Sequence, residues 1–212
     1  MPKPTITYLG QSCFLLEFES LRILIDPGNK ANGKIKGDVV YATHRHVDHT
    51  AGIDEFLELN GVSTILIGNE QVTKSYKKWG DRVKTIKEGE LFSIGDLTLE
   101  FIAAKHGLFR GEKNLGLIIT SQDFKFGHLG DGVSFEGFVD KKVDILAIPI
   151  SGIVTASPKR AIQEITKFEH LPSVIVPMHW LFRSPKGFCK NLSKIHPQVK
   201  CIIPRKGEIL NY

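Results

Sequence analysis

Six consecutive residues constrain this chain more than any other part of its sequence: His44-Arg45-His46-Val47-Asp48-His49. A neutral imidazole offers a nitrogen ligand at pH 7, and an aspartate offers an oxygen ligand. Imidazole suits zinc, iron or nickel, and the carboxylate extends the range to manganese. The alternative is a surface loop with three unrelated histidines, and this density of His and Asp favours a metal site over it.

The hydrophobic pattern places this metal motif in a loop at the end of a strand. Residues 38–42 form a short apolar run that leads directly into His44. Thr50 follows the motif as a candidate N-cap for a helix over 51–58. Ligands at a strand's carboxyl end are free to converge with those of neighbouring strands.

Three further ligand candidates each come directly after an apolar strand. They are His106, Asp131 and His179. A single histidine at a strand end is more often structural. Three such residues, together with the metal motif, favour one shared metal site.

Periodicity predicts an antiparallel, strand-rich first half and an alternation of strand and helix in the second half. Predicted strands cover 5–9, 13–18, 21–25, 38–42, 63–67, 83–86, 91–94, 97–103, 115–120, 124–126, 143–150, 173–176 and 201–203. Predicted helices cover 51–58, 69–79, 158–168 and 188–195. Residues 29–37 are predicted to be a mobile loop, either a substrate flap or a plain connection. Two mixed sheets, each covered by helices on its outer face, fit this content.

Length and composition indicate one ordinary globular domain. The 212 residues, 42% hydrophobic and 24% charged, can bury a sufficient hydrophobic core without disulfides or a structural metal ion. Cys13, Cys189 and Cys201 form no CxxC pair, which argues against a disulfide framework and for a reducing compartment. With no transmembrane run and no signal-peptide pattern, we expect a cytoplasmic protein without membrane insertion. The oligomeric state cannot be read from the sequence.

The metal motif followed by His106, Asp131 and His179, in that order, resembles the metallo-β-lactamase-fold hydrolases. The resemblance spans nearly the whole chain and includes the strand and turn over 23–28. The segments 127–131 and 177–179 look most like a short branch of metal-dependent hydrolases that is similar to ascorbate-6-phosphate lactonases and N-acylphosphatidylethanolamine phospholipases. The resemblance implies a four-layer αββα sandwich of two mixed sheets, formed by a single domain over 1–212.

The resemblance also implies two divalent metal ions, with zinc expected ahead of manganese, iron or nickel. By position, His44, His46 and His106 would hold the first ion, and Asp48, His49 and His179 the second. Asp131 would bridge both. A hydroxide bridging the ions would attack the substrate, with Asp48 orienting it. Asp48, Asp131 and His128 are the catalytic candidates, while Asp26 and His128 are also candidates for orienting the ligands through hydrogen bonds. Asp26 could equally be a turn former and His128 a structural histidine.

Residues near two of the ligands are candidates for substrate binding. Arg110 and Arg183 can pair with a carboxylate or phosphate, or they can be ordinary surface arginines. Phe109, Trp180 and Phe182 can line an apolar pocket, or they can belong to the core.

These observations predict a hydrolase that cleaves an ester, lactone, amide or phosphodiester bond of a small, anionic substrate. A nuclease acting on nucleic acid is the first alternative, which the net charge of +5 permits. It is not favoured, because the chain has no basic run and no aromatic-basic interleaving. The second alternative is a non-enzymatic metal or ligand sensor. A di-iron redox role is disfavoured because His106 stands where a carboxylate is expected, and a β-lactamase proper is disfavoured by the lack of a secretory signal.

Overall fold

The computed structural model describes residues 3–107 and 111–212. Contacts divide the chain into two compact units, residues 1–87 with 205–211 and residues 88–204 with Tyr212. We call them the first and the second unit. Each unit contains one seven-stranded sheet. The assignment of residues 1–212 to a single domain stays a prediction.

The sheet of the first unit is mixed, with strand order β14-β1-β2-β3-β4-β5-β6. Its strands are β1 (Thr5–Gly10), β2 (Cys13–Glu17), β3 (Arg22–Ile25), β4 (Val39–Ala42), β5 (Ile65–Gly68), β6 (Val83–Thr85) and β14 (Glu208–Ile209). Strands β14, β1, β2 and β3 pair antiparallel, whereas β3 to β6 run parallel. The carboxyl ends of β3, β4 and β5 therefore meet at one edge of this sheet.

The sheet of the second unit repeats this arrangement, with strand order β13-β12-β11-β10-β9-β8-β7. Its strands are β7 (Leu91–Ile94), β8 (Leu97–Ala103), β9 (Leu115–Ser121), β10 (Phe124–His128), β11 (Ile145–Pro149), β12 (Val174–Met178) and β13 (Lys200–Cys201). Strands β7 to β10 pair antiparallel and β10 to β13 run parallel. The carboxyl ends of β10, β11 and β12 meet at one edge.

Helices flank both sheets, which confirms the prediction of two mixed, helix-covered sheets. They are α1 (Lys30–Gly33), α2 (Val47–Thr50), α3 (Ile53–Asn60), α4 (Glu70–Thr73), α5 (Pro158–Ile165) and α6 (Pro185–Ile195), with 3₁₀ segments at Lys74–Arg82 and Glu136–Phe138. In the first unit, α3 buries Phe56 and Leu57 in one apolar cluster with Leu24 and Val40 of the sheet. In the second unit, α5 and α6 contribute to the cluster around β11 and β12.

Two of the predicted helices have different boundaries. Thr50 does not cap the helix over 51–58; it ends α2, where its hydroxyl donates to the carbonyl of His46 at 3.0 Å. The helix predicted over 69–79 changes to a 3₁₀ segment after α4. There Tyr76 donates to the carbonyl of Thr50 and Trp79 donates to Asp54, so side-chain contacts to other helices replace regular helical geometry.

Two other expectations need correction. The segment predicted as a mobile loop contains α1, whose Asn32 and Gly33 are buried. A Cβ on Gly33 would lie 2.1 Å from the carbonyl oxygen of Gly52, so the backbones are in close contact and the segment is not a free flap. Cys189 and Cys201 form a disulfide, contrary to the expectation of unpaired cysteines, because the fold brings α6 next to β13. In the described ranges, no helix is long and apolar enough to cross a bilayer.

Candidate metal centre

The metal motif begins immediately after β4 (Val39–Ala42), a strand that is buried along its whole length. The buried strand fixes the backbone that carries His44, and α2 turns the following residues back toward it. The Nε2 atom of His44 and the Nδ1 atom of His46 lie 3.0 Å apart. Two ligands of a tetrahedral zinc ion, each 2.0–2.1 Å from the metal, are about 3.3 Å apart. The two nitrogens therefore have the spacing of a metal-ligand pair.

Asp26, at the carboxyl end of β3, orients two histidines of the motif. Its carboxylate accepts from His49 Nδ1 at 2.7 Å and from the backbone N–H of Thr43 at 2.8 Å. The Thr43 hydroxyl lies 2.9 Å from the same carboxylate and 3.0 Å from His44 Nδ1. A carboxylate that accepts from Nδ1 leaves the lone pair on Nε2, the tautomer that binds a metal. The Asp26 carboxylate is thus hydrogen-bonded to His49 and, through Thr43, linked to His44.

Asp26 also affects its uncharged neighbours. Burial, and after it the charge of Asp26, raises the pKa of the Cys13 thiol and of the Tyr41 phenol well above their usual values. Both groups therefore stay neutral at physiological pH, and Cys13 is not a thiolate ligand. Asp26 itself has positive φ, 47°, a conformation that is unusual outside glycine and typical of constrained sites.

Asp48 is the half-exposed member of the motif. Its side chain is 46% exposed, and Oδ2 lies 3.7 Å from His49 Nε2. The amide of Gln11 donates to the same oxygen at 2.6 Å. Asp48 and Gln11 line a pocket of about 250 Å³ in the first unit, together with Leu9, Gly10, Asp26, Gly28, Asn29, Asn32 and Lys206.

In the second unit, Asp131 lies near two histidines. Its Oδ1 lies 3.5 Å from His179 Nε2, and its Oδ2 lies 3.9 Å from His106 Nε2. All three side chains are almost fully buried. Each carboxylate oxygen of Asp131 therefore faces a different imidazole.

Asn114 and His128 hold the loops that carry these ligands. The Asn114 side chain accepts from the backbone N–H of Asp131 and donates to the carbonyls of Ala104 and Leu129. It thereby joins the loops before His106 and before Asp131. His128 Nδ1 accepts from the backbone N–H of Gly130 at 3.1 Å, which orders the turn leading to Asp131.

The described residues contain two groups of His and Asp side chains that can hold metal ions. One group lies in the first unit and consists of His44, His46, Asp48 and His49, and the other lies in the second unit and consists of His106, Asp131 and His179. Imidazole nitrogens and carboxylate oxygens form a donor set that suits zinc and also fits manganese, iron or nickel.

The candidate substrate-binding residues differ in their surroundings. Phe109 and Arg110 lie outside the described residues. Trp180 packs against the apolar cluster of the second unit, whereas Phe182 is 94% exposed. Arg183 is exposed, but its Nε donates to the carbonyl of Ser151 at 3.1 Å, so part of its guanidinium links two loops.

Sequence reasoning missed several of the supporting residues. Gln11, Ser12, Thr43 and Asn114 are polar residues in segments read only as strands or turns. Thr43 was detectable, because it directly precedes the first histidine. Ser12, whose hydroxyl lies 3.3 Å from His49 Nδ1, is 37 residues from its partner and has no such signal.

The chain is similar to several known proteins. A family model described as the beta-lactamase superfamily domain matches residues 5–179. A UPF0173 protein of Pyrococcus abyssi is 31% identical over 212 residues, which cover 95% of this chain and 98% of the relative. A UPF0173 metal-dependent hydrolase of Methanopyrus kandleri is 24% identical over 96% of this chain and 97% of its own. Igni18, a metallo hydrolase from the hyperthermophilic archaeon Ignicoccus hospitalis, has a TM-score of 0.85 at 22% identity, covering 98% and 97% of the two chains.

Proposed function

This chain belongs to the β-lactamase superfamily, has the metallo-β-lactamase fold and is an enzyme. From that premise we propose that it is a dinuclear metal-dependent hydrolase of a small, anionic substrate. The observation that carries the proposal is the convergence of candidate ligands within each unit: His44 and His46 approach to 3.0 Å in the first, and Asp131 lies 3.5 Å from His179 and 3.9 Å from His106 in the second. The name of the M. kandleri relative, a metal-dependent hydrolase, supports the same reaction class.

In this proposal the first ion is held by His44, His46 and His106, and the second by Asp48, His49 and His179. Asp131 bridges the two ions. Zinc is the expected metal, because its usual ligands are those present here. Two bound divalent ions supply a water activated at neutral pH and stabilise the negative charge that develops on the substrate's oxygen.

The protein's own residues would position the reactants. Asp48, which is half exposed and lines the pocket, holds the attacking water by accepting its hydrogen bond. Asp26 keeps His49 in the tautomer with its lone pair on Nε2. His128 acts through the backbone of Gly130 and positions the turn that carries Asp131, so its catalytic contribution is indirect.

The substrate is proposed to carry an ester, lactone, amide or phosphodiester bond. A pocket of about 250 Å³ accommodates only part of a drug-sized molecule, which favours a small substrate. Lys206 lines this pocket, and Arg183 lies four residues beyond His179; both provide positive charge for an anionic group.

Elemental analysis of the protein purified without added metal, combined with a panel of esters, lactones, amides and phosphodiesters, tests the proposal. We expect about two divalent ions per chain and turnover of at least one substrate class. His46→Ala and Asp131→Ala should each lose metal and activity. His170→Ala, which changes an exposed histidine outside both groups, is the control and should keep both.

Three results would contradict the proposal. Full activity in metal-free protein would exclude metal-dependent hydrolysis. Metal binding without turnover of any generic ester or bis-aryl phosphodiester would favour a sensor. Binding of RNA or DNA with a steep salt dependence, together with its cleavage, would favour a nuclease.

A further inference from the structure

Gln11 contacts the metal motif from a distant part of the first unit. It lies in the turn between β1 and β2, and its Nε2 donates to Asp48 Oδ2 at 2.6 Å across a separation of 37 residues. The neighbouring Ser12 places its hydroxyl 3.3 Å from His49 Nδ1. Two consecutive residues of one turn therefore contact two consecutive ligands of the motif.

The backbone at Gln11 is constrained in a way that this contact requires. Gln11 has φ 54°, in the left-handed region, which costs a residue with a side chain about 1–2 kcal/mol. The Tyr8 hydroxyl donates to the Gln11 carbonyl at 3.0 Å and holds the turn in this conformation. Glycine or asparagine would fit the backbone better. The glutamine is thus unfavourable for the turn, whereas its length allows it to reach Asp48.

The contact fixes the orientation of Asp48. A carboxylate held at 2.6 Å by an amide cannot rotate about its Cβ–Cγ bond without breaking that hydrogen bond. Asp48 is 46% exposed, so packing restrains it less than the fully buried His49. Gln11 and Asp48 also share the wall of the same pocket.

We propose that Gln11 is a positioning residue that sets the orientation of Asp48 as a ligand of the second ion. This inference rests on the proposed function. It predicts that losing the amide weakens the site formed by Asp48, His49 and His179, while the site that contains His44 and His46 keeps its affinity. Partners that orient a metal ligand typically change metal affinity by about 10- to 100-fold.

Gln11→Asn is the sharpest test, because asparagine suits the left-handed backbone but is one methylene, about 1.5 Å, too short to reach Asp48. The matched control is Gln122→Asn. Gln122 has φ 46° in the turn between β9 and β10, at the end of that hairpin away from His128. Metal-free protein is titrated with Zn²⁺ alone, and kcat and KM are measured on the best substrate of the panel.

For Gln11→Asn we expect one of the two equivalents of Zn²⁺ to bind about 10- to 100-fold more weakly than in the native protein, with the other changed less than about threefold. We expect kcat to fall at least tenfold at limiting Zn²⁺ and KM to change less than twofold. Gln122→Asn should match the native protein in both measurements. Gln11→Leu, which keeps the bulk but removes the donor, should reproduce the loss and so excludes an effect of side-chain size.

Native binding of both equivalents with native kcat in Gln11→Asn would overturn the inference. Equal weakening of both equivalents would also overturn it, because Gln11 would then act only on the general stability of the turn. The proposed function fails separately: native protein that binds no metal, or hydrolyses nothing in the panel, rejects that function whatever the Gln11 variants do.

Discussion

At the residue scale, substitution of Asp26 tests whether its hydrogen bonds control the metal affinity of the candidate ligands. Asp26→Asn keeps the shape of the side chain but replaces a carboxylate that accepts from His49 and Thr43 by a neutral amide. The amide no longer fixes the tautomer of His49, so we expect metal affinity to fall about 10- to 100-fold. Isothermal titration with Zn²⁺ measures the effect.

The control for this prediction is Asp38→Asn. Asp38 also accepts a backbone hydrogen bond, from Arg22 N at 2.8 Å, but it is exposed and outside both metal-ligand groups. Its substitution should leave metal affinity within about twofold. Similar losses in both variants would mean that Asp26 acts only through overall stability.

Gly28 packs so closely against the backbone of the metal motif that a side chain at this position would not fit. A Cβ at this position would lie 2.0 Å from the carbonyl oxygen of Asp48. Gly28→Ala must therefore displace the backbone of the metal motif, and we expect a loss of about 1–3 kcal/mol in stability together with weaker metal binding. Gly187→Ala is the matched control, since its Cβ meets Ser184 at 3.6 Å and alanine favours helix α6 by up to about 1 kcal/mol. Urea denaturation and Zn²⁺ titration distinguish the two variants.

The candidate ligands carry a clear signal in the sequence, whereas most of the residues that contact them do not. His44, His46, Asp48 and His49 lie within six consecutive residues, and their types alone indicate a metal. Gln11 contacts Asp48 only after β1 and β2 have paired, and glutamine in a turn carries no chemical signal. Contacts between distant segments depend on the tertiary structure, so they cannot be read from the residue types next to Gln11.

At the scale of elements, Asn114 joins two ligand loops of the second unit. Asn114→Ala removes bonds to Asp131, Ala104 and Leu129, all at a buried position. The Leu129 carbonyl still accepts from the Gly132 N–H at 3.3 Å, but the Asp131 N–H and the Ala104 carbonyl each lose a buried hydrogen bond, at a cost of about 1–3 kcal/mol each. The Asp131 loop also loses its anchor. We expect a large fall in Tm and weaker Zn²⁺ binding.

Asn60→Ala separates the effect on thermal stability from the effect on metal binding. Asn60 also makes three side-chain hydrogen bonds, to Ile35, Phe56 and Gly37, at the end of α3. We expect a comparable fall in Tm with unchanged metal affinity. Equal metal affinity in the Asn114 and Asn60 variants would remove the anchoring role of Asn114.

Helix α5 carries a buried carboxylate that makes stability depend on pH. Burial acts to raise the pKa of Glu164, but hydrogen bonds from Lys167 and the Phe135 amide and the charges of Lys167 and Arg160 outweigh it and lower the pKa. A lowered folded pKa contributes stability above the unfolded value, near 4.3, that is lost as pH falls through the folded value. Glu164→Gln should therefore cost about 1 kcal/mol at pH 7 and progressively less in acid.

Urea denaturation at pH 7 and at pH 3 measures this difference. Glu169→Gln, which changes an exposed carboxylate close to α5, is the control and should follow the native protein at both pH values. A Glu164→Gln deficit that is as large at pH 3 as at pH 7 would show that packing, and not the charge, is responsible.

The presence of most strands and helices was more predictable than the type of helix or the pairing of the cysteines. Apolar runs located strands such as β4, β11 and β12, because a strand that is buried on both faces is apolar throughout. Alternation located β1, which is buried on one face. The helix expected over 69–79 is α-helical only over Glu70–Thr73 and continues as a 3₁₀ segment, where Tyr76 and Trp79 bond to neighbouring helices. The helix α1 was missed because residues 29–33 lack a helical pattern. The pairing of Cys189 with Cys201 depends on packing between α6 and β13, which spacing does not reveal.

At the scale of the whole molecule, metal binding should be linked to folding stability. A ligand that binds only the folded state at 100 times its dissociation constant adds about 2.7 kcal/mol. For a chain of this size that corresponds to a rise in Tm of roughly 5–10 °C. We therefore expect Tm to fall by this amount on chelation and to recover when Zn²⁺ is restored.

Two variants decide whether this shift comes from the proposed centre. His46→Ala should reduce it strongly, because the proposed function assigns one of the two ions to His46 and His44, whose nitrogens lie 3.0 Å apart. His170→Ala, at an exposed histidine, should retain the full shift. Differential scanning calorimetry at several Zn²⁺ concentrations provides the measurement, since a linked equilibrium makes Tm rise with the logarithm of free metal. A shift that persists in His46→Ala would place the stabilising metal elsewhere on the surface and would separate stability from the candidate centre.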